Sequence, residues 1–446
     1  MKRDAYQRLL DWKDSKRRKP LILRGARQTG KTYLLQQFGA KEFDDLVYIN
    51  FERDASVGGF FEDRLHPDEL LQNLSIYTRH KIRPGRDLLV FDEIQASDRA
   101  LNALKYFQEE APDLHVAAAG SLLGIALSGP ASFPVGKVHF EDLYPMSFLE
   151  FLEAAGRVEL RALIESTQAP TPYPGPFHNE LCRHLRTYYF TGGMPEAVQC
   201  FVSEGPTESV REVHSDILSA YVLDFAKYAS SPDIPKLRRI WDTIPAQLAK
   251  PNKKFMFSHI RKSARMRDFE QAIEWLEKSG LIHRVFRVRT AKRPLKAYAE
   301  ENVFKMYALD VGLLGAMAGI PPEALVQGDR VFREYEGAFV ENYVAQELKA
   351  VKGLELFYWE SSGTAEVDFV CEDDRSIVPL EAKAGVNTRS KSLSSFDQRY
   401  APPYLGRTSL LNLKRDGRIL NLPLYAVSLF PGDALFGSTP DPRQAH

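Results

Sequence analysis

The chain has 446 residues, with 59 basic and 59 acidic side chains and a formal net charge of zero. That balance excludes a global pull toward nucleic acid or an anionic membrane surface, so any site for either must be a local patch. With 44% hydrophobic residues, no run near membrane-spanning length and no apolar signal region after Met1-Lys2-Arg3-Asp4, the expectation is a cytoplasmic protein of several domains with no membrane partner. Cys182, Cys200 and Cys371 share no metal-ligand spacing and read as thiols in a reducing cytosol.

The first predicted strand, Leu21-Ile22-Leu23, runs straight into Gly25-Ala26-Arg27-Gln28-Thr29-Gly30-Lys31-Thr32, which matches G-x-x-x-x-G-K-[ST] at every fixed position. In a strand–loop–helix setting the backbone N–H groups of Gly25, Arg27, Gln28, Thr29 and Gly30 turn toward an anion, and the helix N-terminus adds its positive end. Lys31 is then expected on the β- and γ-phosphates of ATP, and Thr32 on a Mg2+ ion. A second strand follows at Val47-Tyr48-Ile49-Asn50-Phe51 and a helix at 70–77. The strand Asp87-Leu88-Leu89-Val90-Phe91 then ends in Asp92-Glu93. Asp92 is the expected Mg2+ carboxylate, and Glu93 the base that polarises the attacking water. After a helix near Ala103–Phe107 comes His115-Val116-Ala117-Ala118-Ala119, then Gly120-Ser121. Ser121 is either a sensor of the γ-phosphate or the N-cap of a helix at Leu122-Leu123. The alternation from Leu21 to about Val138 predicts a parallel sheet with helices on both faces.

From Tyr144 to about Ala229 the pattern is helical, interrupted by the proline-rich stretch 167–176, expected to be exposed, and by Gly192-Gly193-Met194-Pro195. Residues from about 234 to 298 have the order of a winged helix: helices at 240–248, 258–263 and 269–276, then an alternating strand at Val285–Arg289. The third helix carries Asp268, Glu270, Glu274 and Glu277 against Arg265, Arg267 and Lys278, a poor complement to a phosphate groove. Beyond about Asp329 a second αβ unit begins. Glu341 lies on a helix, and strands follow at Leu356–Trp359, Ala365–Val370 and Ile377–Lys383. Glu381 and Lys383 are two apart on a strand and share a face. With Asp368 on the neighbouring strand they could form a Mg2+ site, in which Lys383 orients water or stabilises charge.

These motifs, taken in order, resemble the prokaryotic AAA-type ATPases that carry a carboxyl-terminal DUF4143 domain. The segments that match are the phosphate loop, Val47–Glu52, Phe91-Asp92-Glu93-Ile94-Gln95, Gly120-Ser121, Leu143–Phe151, Gly192–Val198, Ala365–Val370 and Glu381-Ala382-Lys383. The resemblance implies an α/β chain with an additional-strand P-loop ATPase core (1–143), a helical lid (144–229), a winged helix (230–300), a PD-(D/E)xK nuclease-like domain (301–436) and a flexible tail (437–446). It also implies adenine contacts at Gly193 and Pro195, and a nuclease metal set of Glu341, Asp368 and Glu381 with Lys383 as catalytic residue. Val367 stands where that pattern has proline. The expected function is an ATPase whose nucleotide state controls a nuclease-like domain acting on DNA, with a homo-oligomer as a candidate assembly. The alternatives are a nucleotide-driven switch with a catalytically inactive binding module, and a winged-helix DNA-binding regulator.

Overall fold

The computed structural model describes residues 1–62, 64–121, 136–250, 253–261, 264–321, 330–373, 376–385, 390–432 and 435. The helix expected at Leu122-Leu123 and the tail at 437–446 lie outside the described residues, as does part of the helix expected at 258–263. The chain divides into two compact units, Met1–Tyr144 with Lys278–Leu281, and Pro145–Glu277 with Ile282–His446.

In the first unit, α1 (Ala5–Asp14), β1 (Leu21–Arg24), α2 (Lys31–Glu42), β2 (Leu46–Asn50), α3 (Pro67–Thr78), β3 (Leu88–Asp92), α4 (Asp98–Glu110), β4 (His115–Ala119) and β5 (His139–Asp142) follow in order. All strand pairs are parallel, in the spatial order β2-β3-β4-β1-β5. The period of two along each strand sorts its side chains into two apolar layers. Leu21, Leu23, Leu88 and Val90 pack with Leu34, Leu35 and Phe38 of α2 and with Leu9 and Trp12 of α1. Ile22, Leu89 and Phe91 face the other way, onto Leu101, Leu104 and Phe107 of α4 and Leu70 and Leu74 of α3. Each such side chain contributes about 1.5–3 kcal/mol on burial. The layers fix β1 and β3 so that both carboxyl ends open on one edge, with β4 between them.

The strand β5 was not legible in the sequence. His139-Phe140-Glu141-Asp142 has no apolar run, because it is an edge strand left partly exposed on the outer side of β1.

In the second unit the helices are α5 (Phe148–Ala154), α6 (Val158–Glu165), α7 (Gly175–Thr191), α8 (Pro195–Glu204), α9 (Glu208–Tyr228), α10 (Ile234–Leu248) and α11 (Met266–Lys278). There follow β6 (Ile282–Val288), β7 (Ala299–Ala308), α12 (Val311–Met317), α13 (Arg330–Lys352), β8 (Phe357–Glu360), β9 (Glu366–Glu372), β10 (Ile377–Ala382), α14 (Lys391–Tyr400), β11 (Leu405–Ser409), β12 (Lys414–Asp416) and β13 (Ile419–Pro423). One mixed eight-stranded sheet runs β12-β13-β11-β10-β9-β8-β6-β7.

The helices expected as a separate lid share this unit with the carboxyl-terminal sheet. Ser147 starts α5 with a capping box to Glu150. The Phe148 N–H donates to Glu347 of α13 at 2.9 Å, and Gln346 donates to Tyr188 at 2.7 Å. The proline-rich stretch is largely exposed, with Thr167 and Pro170 half-buried and Tyr173 buried; the Tyr173 N–H donates to Asn412.

The boundary expected at residue 300 falls inside β7. Helices α10 and α11 precede the β6–β7 hairpin, as in a winged helix. But β6 also pairs in parallel with β8, Phe286 opposite Phe357, which makes the hairpin an edge of the large sheet. A free wing strand would need one partner, and β6 has two.

Candidate functional site

The loop between β1 and α2 has the backbone that its glycines allow. Gly25 (φ +148°) and Gly30 (φ +92°) lie in regions that side chains rarely adopt, and a Cβ at Gly25 would meet the Leu143 carbonyl oxygen at 2.1 Å. Gln28 also takes a positive φ of 66°. Two buried contacts brace the loop: Thr29 Oγ1 donates to the Ala26 carbonyl at 3.0 Å, and Arg3 donates to the Thr29 carbonyl at 2.8 Å. Arg3 was not singled out from the sequence. It lies 26 residues from Thr29, and only the packing of α1 beside the loop brings it there.

Lys31 is buried, and its Nζ donates to the Gly25 and Ala26 carbonyls at 2.9 and 2.7 Å. Burial lowers its pKa to about 8, against the opposing pull of Glu93 and Asp92. Thr32 Oγ1 donates to Asp92 Oδ2 at 2.8 Å. The same carboxylate oxygen accepts from the Tyr48 hydroxyl, and Asp92 Oδ1 accepts from the Glu93 N–H at 3.1 Å. Burial and that bond to Asp92 push the Tyr48 phenol up to about 12, so it stays a donor. Tyr48 is on β2, next to β3. Its role was missed because alternation alone reads it as an ordinary half-buried strand residue.

Glu93 sits in the left-handed region (φ 50°) just past β3, and Gln95 Nε2 donates to its Oε2. This turn carries the Glu93 carboxylate past the strand end. Ser121 is buried two residues after β4, the strand that stands between β1 and β3. Arg27 is half-buried and Gln28 exposed on the loop. Arg24 makes two hydrogen bonds to Asp142, at 2.9 and 2.8 Å, and lies over the Phe140 ring. Its guanidinium thus ties β1 to β5.

Thr32 and Asp92 fit a Mg2+ ion: two oxygen ligands of the hard type it prefers already lie side by side beneath the loop. Such an ion would neutralise charge on the phosphates.

Gly193 and Pro195 belong to the second unit, at the turn into α8. A Cβ at Gly193 would meet the Met146 carbonyl oxygen at 2.0 Å, and the Gly193 N–H donates to Asp310 at 2.6 Å. A Cβ at Gly192 would strike Asp310 at 2.1 Å. Close packing within the unit therefore accounts for both glycines. Burial raises the Asp310 carboxyl to about 6, opposed by the backbone donors of Gly193, Leu313 and Gly312.

The carboxyl-terminal residues gather around a lysine that was not predicted. Lys305 of β7 is buried, with its Nζ 2.8 Å from Glu366, 3.3 Å from Glu341 and 3.5 Å from Asp368. Glu341, on α13, also accepts from Lys253 and, at 2.8 Å, from the Tyr307 hydroxyl. Tyr307 is two residues beyond Lys305 and shares its face. Asp368 Oδ2 accepts from the Ala382 N–H at 2.9 Å. β9 and β10 are antiparallel with Leu380 opposite Phe369, a register that sets Glu381 opposite Asp368 one step further on. Lys383 lies just past β10 and pairs with Glu381 Oε1 at 2.7 Å. The other oxygen, Glu381 Oε2, is buried without a hydrogen-bond partner.

The charges of this cluster oppose one another. Burial alone would raise the Glu341 carboxyl, but Lys305 and Lys253 outweigh it and hold it well below the usual range. Burial and the Glu341 charge push Asp368 up. Burial would lower Lys305, but its anionic neighbours, Glu341 first, keep it charged. Lys305 could have been noticed in sequence as the one charged residue within Val303–Ala308, an otherwise apolar and aromatic run.

As a Mg2+ centre the quartet fits in part. Glu381 Oε2 offers an unclaimed oxygen, whereas the oxygens of Glu341 already take two ammonium groups and a hydroxyl. Among the described residues, the trio of ligand atoms found within 4.8 Å of one another is that of Asp45, His80 and Asp87. Arg83 already lies against both of those aspartates, at 2.9 and 2.7 Å. None of the described helices is long and apolar enough to cross a membrane.

Residues 17–152 match the family described as AAA domain, residues 336–426 the domain of unknown function DUF4143, and residues 182–324 the domain of unknown function DUF8612. No curated protein matches the sequence. The chain is similar to the Walker-type ATPase of Pyrococcus abyssi, at 15% identity and a TM-score of 0.43, over 71% of this chain and 95% of that one. It is also similar to the Aeropyrum pernix ORC1 protein solved in complex with DNA, at 15% identity and a TM-score of 0.29, over 72% and 92%. A third similar structure is the Thermotoga maritima RuvB Holliday junction branch migration motor, at 15% and 0.29, over 63% and 85%. The phosphate loop, the acid pair and the parallel sheet lie within the matched AAA segment, and Glu341, Asp368, Glu381 and Lys383 within the DUF4143 segment. The chain is an AAA-type P-loop protein with a carboxyl-terminal DUF4143 domain.

Proposed function

We propose that this chain binds ATP with Mg2+ at the β1–α2 loop, hydrolyses it, and uses its nucleotide state to control the DUF4143 domain. The observation that carries the reading is the Thr32–Asp92 hydrogen bond at 2.8 Å beside the buried ammonium of Lys31. In the proposed complex Lys31 leaves the loop carbonyls for the phosphates, Thr32 and Asp92 hold Mg2+, and Glu93 orients the attacking water. Ser121 is the proposed γ-phosphate sensor, and Gly193 with Pro195 the proposed adenine contacts. The proposed setting is cytoplasmic, with a homo-oligomer as the candidate assembly.

The buried lysine supplies a pH test. Burial in the empty site lowers the Lys31 pKa to about 8, and a bound phosphate raises it again. Between the two values, binding must take up a proton. Calorimetry at about pH 9, in buffers of different ionisation enthalpy, is expected to show uptake approaching one proton per ATP, falling toward zero near pH 7. Equal apparent enthalpies in all buffers at the higher pH would remove Lys31 from the phosphates.

For the DUF4143 domain we propose a nucleic-acid partner, DNA first. It is a PD-(D/E)xK-like module beside winged-helix-like helices. Two specific observations separate cleavage from binding alone. Glu381 Oε2, buried without a partner next to Lys383, favours a Mg2+-dependent nuclease with ligands Asp368, Glu381 and Glu341. The lysines on Glu341 favour a catalytically inactive binding module. Plasmid incubated with ATP and Mg2+ is expected to be cut by the wild type and spared by Lys383→Ala if the first holds. Retarded but uncut plasmid in both selects the second.

A further inference from the structure

Three carboxylates converge on one ammonium in the second unit. Lys305 Nζ lies within 3.5 Å of Glu341, Glu366 and Asp368, and its side chain is 2% exposed. Two elements supply the acids: α13 gives Glu341, and β9 gives Glu366 and Asp368. The Tyr358 ring lies 5.2 Å from the same ammonium, a further attraction for a cation. Lys253 pairs with the other oxygen of Glu341, Oε1. Carboxylates gathered on one point, with Glu341 buried and Asp368 and Glu366 partly buried, demand a counterion of some kind, because like charges repel more strongly as the dielectric falls. A divalent ion or a side-chain cation can supply it.

We infer that Lys305 is the resident cation of this cluster, occupying the position between Glu341 and Asp368 that a divalent ion would otherwise take. The domain then needs no metal on that side of Asp368 to keep its acids together. A lysine cannot do what a metal does to water: it carries one charge, offers donors only, and leaves no open ligand position. The inference goes beyond the proposed ATPase and leaves the β1–α2 loop untouched, so a failure of either is seen separately. It also narrows the metal chemistry open to the DUF4143 domain to the other side of Asp368, where Glu381 Oε2 is unclaimed.

The test is divalent rescue in the full-length chain without nucleotide. Every protein carries Asp92→Asn to remove the acidic partner of Thr32. In that background any rise in melting temperature with millimolar Mg2+ or Mn2+ is expected to survive Glu341→Gln, because it can come only from the Glu381 side of Asp368. Adding Lys305→Ala, which deletes the cation and opens space, is expected to lower the melting temperature. Mn2+ should then raise it again, and Lys305→Ala with Glu341→Gln should lose most of that rescue. Lys305→Met, similar in volume, is the companion variant: it should fall in stability without being rescued, because its side chain still fills the position. If Lys305→Ala folds only when Mn2+ is present, that too is rescue. Two results would overturn the inference. One is a metal-dependent rise with Lys305 intact that Glu341→Gln abolishes, which would place an ion on Glu341 alongside the lysine. The other is a Lys305→Ala protein on which neither ion has any effect.

Discussion

Lys31→Ala is expected to lose ATP affinity by roughly 100-fold or more while keeping its fold. A hydrogen bond to a charged group contributes about 1.5–3 kcal/mol, the ammonium can make two to the phosphates, and each 1.4 kcal/mol is a factor of ten. Folding should survive because the buried ammonium is itself under strain from desolvation, as its pKa of about 8 records. Its loss leaves the Ala26 carbonyl still accepting from Thr29 Oγ1 and the half-buried Gly25 carbonyl without that donor, a smaller effect. Calorimetric titration with ATP, beside a circular dichroism melt, measures both. Wild-type affinity in a folded variant would mean that the loop does not bind phosphate.

Glu93→Gln should separate binding from turnover. Glutamine keeps the length, the planar head and one acceptor oxygen, so the tight turn past β3 and the contact with Gln95 can persist. It cannot polarise water as a carboxylate does. General-base contributions of this kind amount to about 100- to 10,000-fold in rate. The variant is expected to bind ATP as tightly as wild type and to release phosphate slower by that factor. Steady-state phosphate release together with ATP titration decides the matter, and a near-wild-type rate would assign the base elsewhere.

The two predictions rest on residues that could be read directly from the chain, for a physical reason. A phosphate loop is local: eight consecutive residues supply the turn, the N–H groups, the lysine and the hydroxyl. The acid pair is nearly as local, since the strand β3 ends where its apolar run ends. Glu381 and Lys383 stand out as charges in an apolar strand with Asp368 on its neighbour, and the family resemblance adds Glu341 to the set. The surroundings of each were not legible. Tyr48 meets Asp92 across 44 residues of sequence, and Lys305 meets Asp368 across 63. Such meetings depend on which strands become neighbours, a property of sheet order rather than of any segment.

Domain limits show the same division. Helical and strand periods placed most elements, and the P-loop followed by the acid pair placed the first sheet. Strand β5 escaped because a partly exposed edge strand has no apolar signature. The boundary at residue 300 escaped because β6 gains a second partner, β8, some 70 residues later, and a strand's own sequence does not say how many neighbours it will have. By itself, then, the sequence determined the chemistry on offer: a nucleotide loop, its acids, and a set of carboxylates and lysines near the carboxyl terminus. Only the tertiary structure decided which lysine meets which carboxylate. Burial and distance set the strength of a charge pair, and both arise when distant segments pack, so Lys305 rather than Lys383 lies among Glu341, Glu366 and Asp368.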